Sequence, residues 1–199
     1  MSIQEAQREA VRRSAAALLS VDLRERCRLL GLPAPCENTL RFRAFGQDVL
    51  LQLPGFDLAR ADTGQPAKLG DQILVLHYLR CQRSIQPTGD LISFRDMPGG
   101  RFYWPAFRAR SVVPLIQRVG NRLEALKQNL SRFDWQPFTL GDFSAKIHGI
   151  GRLDAFLIYH CGDEECSPEA DVLFDACIKQ VYASEDVAVF ASRICLGLL

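Results

Sequence analysis

The 199 residues, 48% of them hydrophobic, suffice to bury one substantial core, and splitting them into two independent domains would leave each half small. With 24 Lys+Arg against 23 Asp+Glu the formal net charge is +1, which excludes a global field that would hold nucleic acid or an anionic membrane. The N-terminus MSIQEAQREAVRRSAAALLS is charged where a secretory segment is apolar, and no run reaches the ~18 apolar residues of a membrane span. A soluble cytoplasmic protein with its seven cysteines reduced is therefore expected.

In chain order, residues 1–32 read as a helical leader and 33–199 as one α+β domain. Ile3, Ala6, Ala10, Ala17 and Leu18 recur near helical spacing, with Ser14 the polar member of that stripe. Ser20 is predicted to cap a second helix through Leu23, Cys27 and Leu30 to Gly31, and Pro33 and Pro35 close the leader. TLRFRAF and VLLQL flank Gly46-Gln47-Asp48, the pattern of a β-hairpin. PGFDLARADTGQPAKLG reads as a loop, and Asp71 as the N-cap of a buried helix, QILVLHYLRCQ.

A second, arginine-rich hairpin is predicted from LISF, RDMPGG and RFYWPAF, with Phe102 and Trp104 on one face and Pro105 marking an edge. Val112, Ile116, Val119, Leu123, Leu126 and Leu130 form the most regular stripe, spanning one kinked helix or two in succession. FSAKIHGIG and DAFLIYHCG read as strands, and Ser184 opens a last helix. The expected fold is thus antiparallel hairpins packed on amphipathic helices.

The succession LGL, the hairpin around FGQD, LHYL, TGDLISFRDMPGG, RFYWPAFRARSVVPLIQRVG, GDFSAKI, GDEECSPEADVLFD and SED resembles an uncharacterised bacterial and archaeal domain family. Members of that family are sometimes fused to a small cysteine-rich module similar to the one in the corrinoid iron–sulfur protein. The likeness covers nearly all of the chain after residue 20 and is most specific in FRDMPGG and GDEE…LFD. It carries no catalytic residues across. What it implies is a non-enzymatic binding or accessory domain whose partners are iron–sulfur or corrinoid proteins of anaerobic metabolism. The fused module's closely spaced cysteines are missing here: there is no CxxC, the closest pair is Cys161-x4-Cys166, and Cys166 stands where the family tends to place an aromatic residue.

Three constellations remain as candidate sites. His160, Cys161 and Cys166, with His148 or Cys177 as a fourth partner, supply zinc-type ligands, but strand alternation turns His160 and Cys161 to opposite faces, so no metal is expected. Asp163, Glu164 and Glu165 are clustered carboxylates that could serve acid/base work or simply form a hydrated turn. From Arg95 to Arg122 six arginines face only Asp96, while nine acids from Asp154 to Asp186 face only Lys179. Folding is expected to pair Arg95, Arg108 or Arg110 with Asp163, Glu164, Glu165 or Asp175.

The alternative to such pairing is an anion or cofactor-phosphate site at Arg95, Gly99, Gly100, Trp104, Arg108 and Arg110. Single-stranded nucleic acid is disfavoured by the near-neutral chain. Asp142 and Asp175 read as backbone caps, and His77 and Cys81 as core packing. The enzymatic rival to an accessory domain is a small enzyme with its site between the arginine-rich hairpin and the GDEE loop. It calls for a pocket gathering Arg108, Asp163 and Trp104, whereas an exposed aromatic surface favours the accessory domain.

Overall fold

Ser2 starts the first helix through a capping box: its Oγ accepts the Glu5 amide and the Glu5 carboxylate accepts the Ser2 amide, which opens α1 (Ile3–Leu18). The computed structural model describes residues 2–199 apart from the side chain of Ile3, so that member of the predicted stripe lies outside the described residues. The buried edge of α1 runs through Ser14 and Leu18, while Ala6 and Ala17 are exposed. A buried serine is tolerable because Arg80 Nη1 lies 3.5 Å from its hydroxyl. The cap of α2 (Leu23–Leu30) is Asp22 rather than Ser20: its Oδ1 accepts the Arg24 and Glu25 amides, two residues nearer the first helical turn.

β1 (Thr39–Ala44) and β2 (Gln47–Gln52) form the predicted hairpin, joined by Phe45 and Gly46 at φ 51° and 73°, the positive pair that a tight two-residue turn requires. The predicted loop contains a further strand, β3 (Asp57–Arg60), paired antiparallel with β2. Four residues with Leu58 alone fully buried are too few for the alternation to register in sequence. α3 (Leu69–Arg80) buries Leu74, Val75, Leu76, Tyr78 and Leu79 and packs on α1; it starts after Lys68, so Asp71 lies in its first turn and is not the cap.

The single α+β fold comprises two compact units, Met1–Gln86 with Ile150–Arg152, and Pro87–Gly149 with Leu153–Leu199. The short segment completes the first unit. Ile150 pairs with Ala44, the Arg152 amide donates to Tyr78 Oη at 3.0 Å, Tyr78 Oη donates to the Leu30 carbonyl at 2.6 Å, and Arg152 Nη1 donates to the Ile85 carbonyl.

The second unit begins with β4 (Leu91–Ser93), a 3₁₀ turn at Phe94–Asp96, and α4 (Gly100–Arg110). RFYWPAF is therefore helical, not the second strand of a hairpin. Ser93 and Asp96 form a capping box, and Gly99, at φ 70°, turns the chain into α4. The apparent strand alternation of Phe102 and Trp104 is displaced by the i, i+3 pairing of Trp104 with buried Phe107.

The long stripe resolves into α5 (Val112–Val119) and α6 (Leu123–Leu130), broken at Gly120, with Leu115 fully buried in place of Ile116. α5 packs on β8 (Glu169–Asp175) and on α7 (Ser184–Gly197). β5 (Trp135–Pro137) pairs with β6 (Phe143–Ile150), followed by β7 (Leu153–His160), β8 and β4. The registered strand pairs are antiparallel, as the hairpin-rich sequence predicts. Among the described residues no helix is long and apolar enough to cross a membrane.

Candidate functional site

The FRDMPGG segment and α4 build one face of the second unit. Phe94 stacks on Phe107 with ring centroids 4.2 Å apart, and Trp104 stacks beside Phe107 at 5.4 Å. The Arg95 guanidinium lies 4.3 Å over the Trp104 ring and that of Arg108 5.8 Å from it, so both cations share one indole. Arg108 reaches Asp171 on β8 at 4.0 Å. Gly100 is buried where an added Cβ would lie 1.9 Å from the Phe94 carbonyl oxygen. The two glycines thus have a packing reason for being there, Gly99 for its positive φ and Gly100 for this close approach. Phe102 is 81% and Tyr103 53% exposed, edge to face at 5.1 Å.

Between α4 and α7 runs an apolar cavity of about 350 Å³ with Phe94, Phe107, Ala106, Ala188 and Val189 among its walls and Arg110 and Glu185 at its edge. Ser184 Oγ donates to the Pro98 carbonyl at 2.6 Å, tying the start of α7 to the chain entering α4. Reading residues 101–107 as a strand hid this cavity. The signal that could have found it is the seven-residue repeat Tyr103, Ala106, Phe107, Arg110, which fits a helix and no strand.

The carboxylates of the acidic loop form no ion pair with an arginine among the described residues. Asn121 grips Gly162 twice, its Nδ2 donating to the carbonyl at 2.9 Å and its Oδ1 accepting the amide at 2.8 Å. Asp142 accepts the Cys161 amide, and Asp163 Oδ1 accepts the amides of Glu165 and Cys166. Asp163 is thereby held below the usual carboxylate range, chiefly by the Cys166 amide and then by that of Glu165. It acts as the cap of a turn. Glu164 and Glu165 point to solvent.

None of Arg95, Arg108 and Arg110 forms an ion pair with Asp163, Glu164, Glu165 or Asp175 among the described residues, so the predicted pairing is replaced by the single Arg108–Asp171 contact. The backbone demands of the loop and of the β4 approach claim Asp163 and Asp175 first. Asp175 accepts the amides of Thr88, Gly89 and Cys177 and the Thr88 hydroxyl at 2.7 to 3.0 Å.

His160 ends β7 opposite Glu169, exposed, with Cys161 following beyond the strand. Among the described residues no three His, Cys, Asp or Glu side chains are gathered to hold a metal ion. His148 instead has its Nδ1 3.1 Å from Asp154 Oδ1, while Lys146 Nζ is 3.0 Å from Asp154 Oδ2. Burial would raise the Asp154 carboxyl, but the bonds from His148 and Lys146 outweigh it and hold it low. The sequence reading passed over this trio, although the i, i+2 spacing of Lys146 and His148 puts both on one face of β6.

The thiols divide sharply. Burial pushes Cys27 up to about 11 and both Cys177 and Cys195 up to about 12, whereas Cys36 and Cys166 are exposed and Cys161 half-buried. Brief iodoacetamide treatment of the folded protein near pH 8 is expected to label Cys36, Cys161 and Cys166. Cys27, Cys81, Cys177 and Cys195 should react only after unfolding, and peptide mass spectrometry reads the outcome.

Compared with known proteins, the chain matches the family model described as "Domain of unknown function (DUF3786)" over residues 22–196. No curated protein matches it, and no solved structure does.

Proposed function

Since the chain belongs to the DUF3786 family, a domain of unknown function, we propose that it is a non-enzymatic binding or accessory domain for iron–sulfur or corrinoid proteins of anaerobic metabolism. The observation that carries this reading is the exposed aromatic pair on α4, Phe102 at 81% and Tyr103 at 53% exposure, beside an open apolar cavity. Large aromatic side chains left in water next to a preformed trough are what an interaction surface requires. The enzymatic rival asks Asp163 to join Arg108 and Trp104 around a pocket. Asp163 is instead committed to the loop backbone.

The test is native mass spectrometry under oxygen-free conditions of the protein mixed with a purified corrinoid iron–sulfur protein and, separately, with a ferredoxin. A one-to-one complex with at least one of them is expected, weakened at least tenfold by the Phe102→Ser/Tyr103→Ser double substitution, in line with the hot-spot weight of exposed aromatic anchors. No complex with either class, or one indifferent to the double substitution, would overturn the proposal.

A further inference from the structure

We infer that the face formed by α4 and α7 pairs with the same face of a second copy of this chain about a two-fold axis. This goes beyond the accessory-domain reading, since it concerns what covers that surface when no other partner is bound. The order of groups along the trough is what carries it. Ser184 Oγ donates to the Pro98 carbonyl, so the start of α7 lies beside the chain entering α4. A neighbouring cavity touched by Met97 and Pro98 also touches Tyr103 and Glu185, which places both at that end. Ala106 and Ala188 follow at the centre of the two walls, and Arg110 and Ser192 stand at the far end, about 11 Å along by helical rise. The trough is therefore negative at one end, apolar between and positive at the other.

Such a surface is complementary to itself. A half-turn of one copy about an axis through the alanines sets Glu185 of each copy against Arg110 of the other, the reciprocity that an isologous contact requires. Neither side chain forms an ion pair among the described residues, so both are open to a second copy. A foreign partner would need a base and an acid at matching separation, whereas a second copy has them by symmetry. Two such pairs at the rim of an apolar patch fix its register and reject misaligned contacts.

Two troughs laid face to face leave a hollow unless a side chain fills it. Phe102, 81% exposed and one turn before Ala106 on α4, is the knob that each copy offers to the other. Val189 and Leu196, exposed and seven apart along one side of α7, extend the apolar patch. The wall beneath is rigid, because Phe107 is stacked between Phe94 and Trp104. With α7 reaching about 21 Å over its 14 residues the patch is small, and the dimer belongs to the weak, exchangeable class with a Kd on the order of micromolar. It keeps Phe102 out of water in the free protein and releases it to a tighter partner.

Sedimentation velocity of the full chain alone, from about 1 μM to about 100 μM so as to bracket that Kd, tests the pairing. The mass is expected to rise from that of one chain to that of two. Arg110→Glu and Glu185→Arg should each weaken the dimer at least tenfold, because each sets like charges face to face at both ends, and Phe102→Ser should do the same by removing the knob. The decisive samples combine the two reversals. The Arg110→Glu/Glu185→Arg chain should dimerise like the wild type, and an equimolar mixture of the two single variants should form the heterodimer that neither makes alone. Its formation also shows that both variants are folded. A chain monomeric throughout, single reversals that dimerise as well as the wild type, or a double reversal or mixture that stays monomeric would overturn the inference. A complex with a corrinoid iron–sulfur protein or a ferredoxin, formed by a chain that never dimerises, sinks this inference alone. A dimer with these properties and no such complex sinks the accessory reading alone.

Discussion

Gly100→Ala is expected to cost about 3 kcal/mol or more, at the upper end of what overpacking a tight site produces. A Cβ there meets the Phe94 carbonyl oxygen at 1.9 Å and the carbonyl carbon at 3.0 Å. Both are backbone atoms inside a hydrogen-bonded 3₁₀ turn, so no side-chain rotation relieves the clash. For a chain of this length the melting temperature should fall by on the order of 6–12 °C. Gly99→Ala is the control: its added Cβ meets only the Tyr103 ring, at 3.7 Å, and the cost is the left-handed φ of 70°, about 1–2 kcal/mol. Equal stability of the Gly100→Ala protein and the wild type in urea titration would refute the close approach. The same substitution should also disturb the groove, because Phe94 and Phe107 are stacked on that turn.

Asp175→Asn is expected to cost about 2 kcal/mol at neutral pH. Burial would raise the Asp175 carboxyl, but the amides of Thr88, Cys177 and Gly89 outweigh it and bring it down from 3.8 to about 2. A carboxyl depressed on folding stabilises the native state above its unfolded value and loses that contribution as pH falls through the folded one. The stability gap between wild type and Asp175→Asn should therefore be full above about pH 4 and shrink steadily toward pH 2. A gap independent of pH over that window would show that the charge plays no part and that only the hydrogen-bond geometry matters.

What the sequence revealed depended on how many residues enforced each pattern. The β1–β2 hairpin and the 112–130 stripe were legible because several core positions repeat one period, and the buried helix around Leu74–Leu79 because its apolar residues cover nearly the whole helical circumference. β3 was not, since only Leu58 is fully buried in it. Residues 101–107 misled because Phe102 and Trp104 alternate like a strand, while the helical repeat Tyr103, Ala106, Phe107, Arg110 runs past their end and the entry into α4 is set by the conformation of Gly99 before them. The candidate site shared that fate. Arg95, Trp104 and Arg108 do converge, but their partnership with the acidic loop was argued from charge alone. Backbone amides, which no charge count includes, hold Asp163 and Asp175 elsewhere.

Ile150, Gly151 and Arg152 decide where the chain can be cut in protein engineering. A fragment ending at Gln86 lacks the strand partner of Ala44, the amide that meets Tyr78 Oη and the guanidinium that meets the Ile85 carbonyl. Such a fragment should be recovered mostly as insoluble material, and adding the tripeptide in trans would not rescue it. A single cut near residue 86 therefore leaves the first unit without Ile150–Arg152, and a separately expressed first unit has to carry those three residues on a linker.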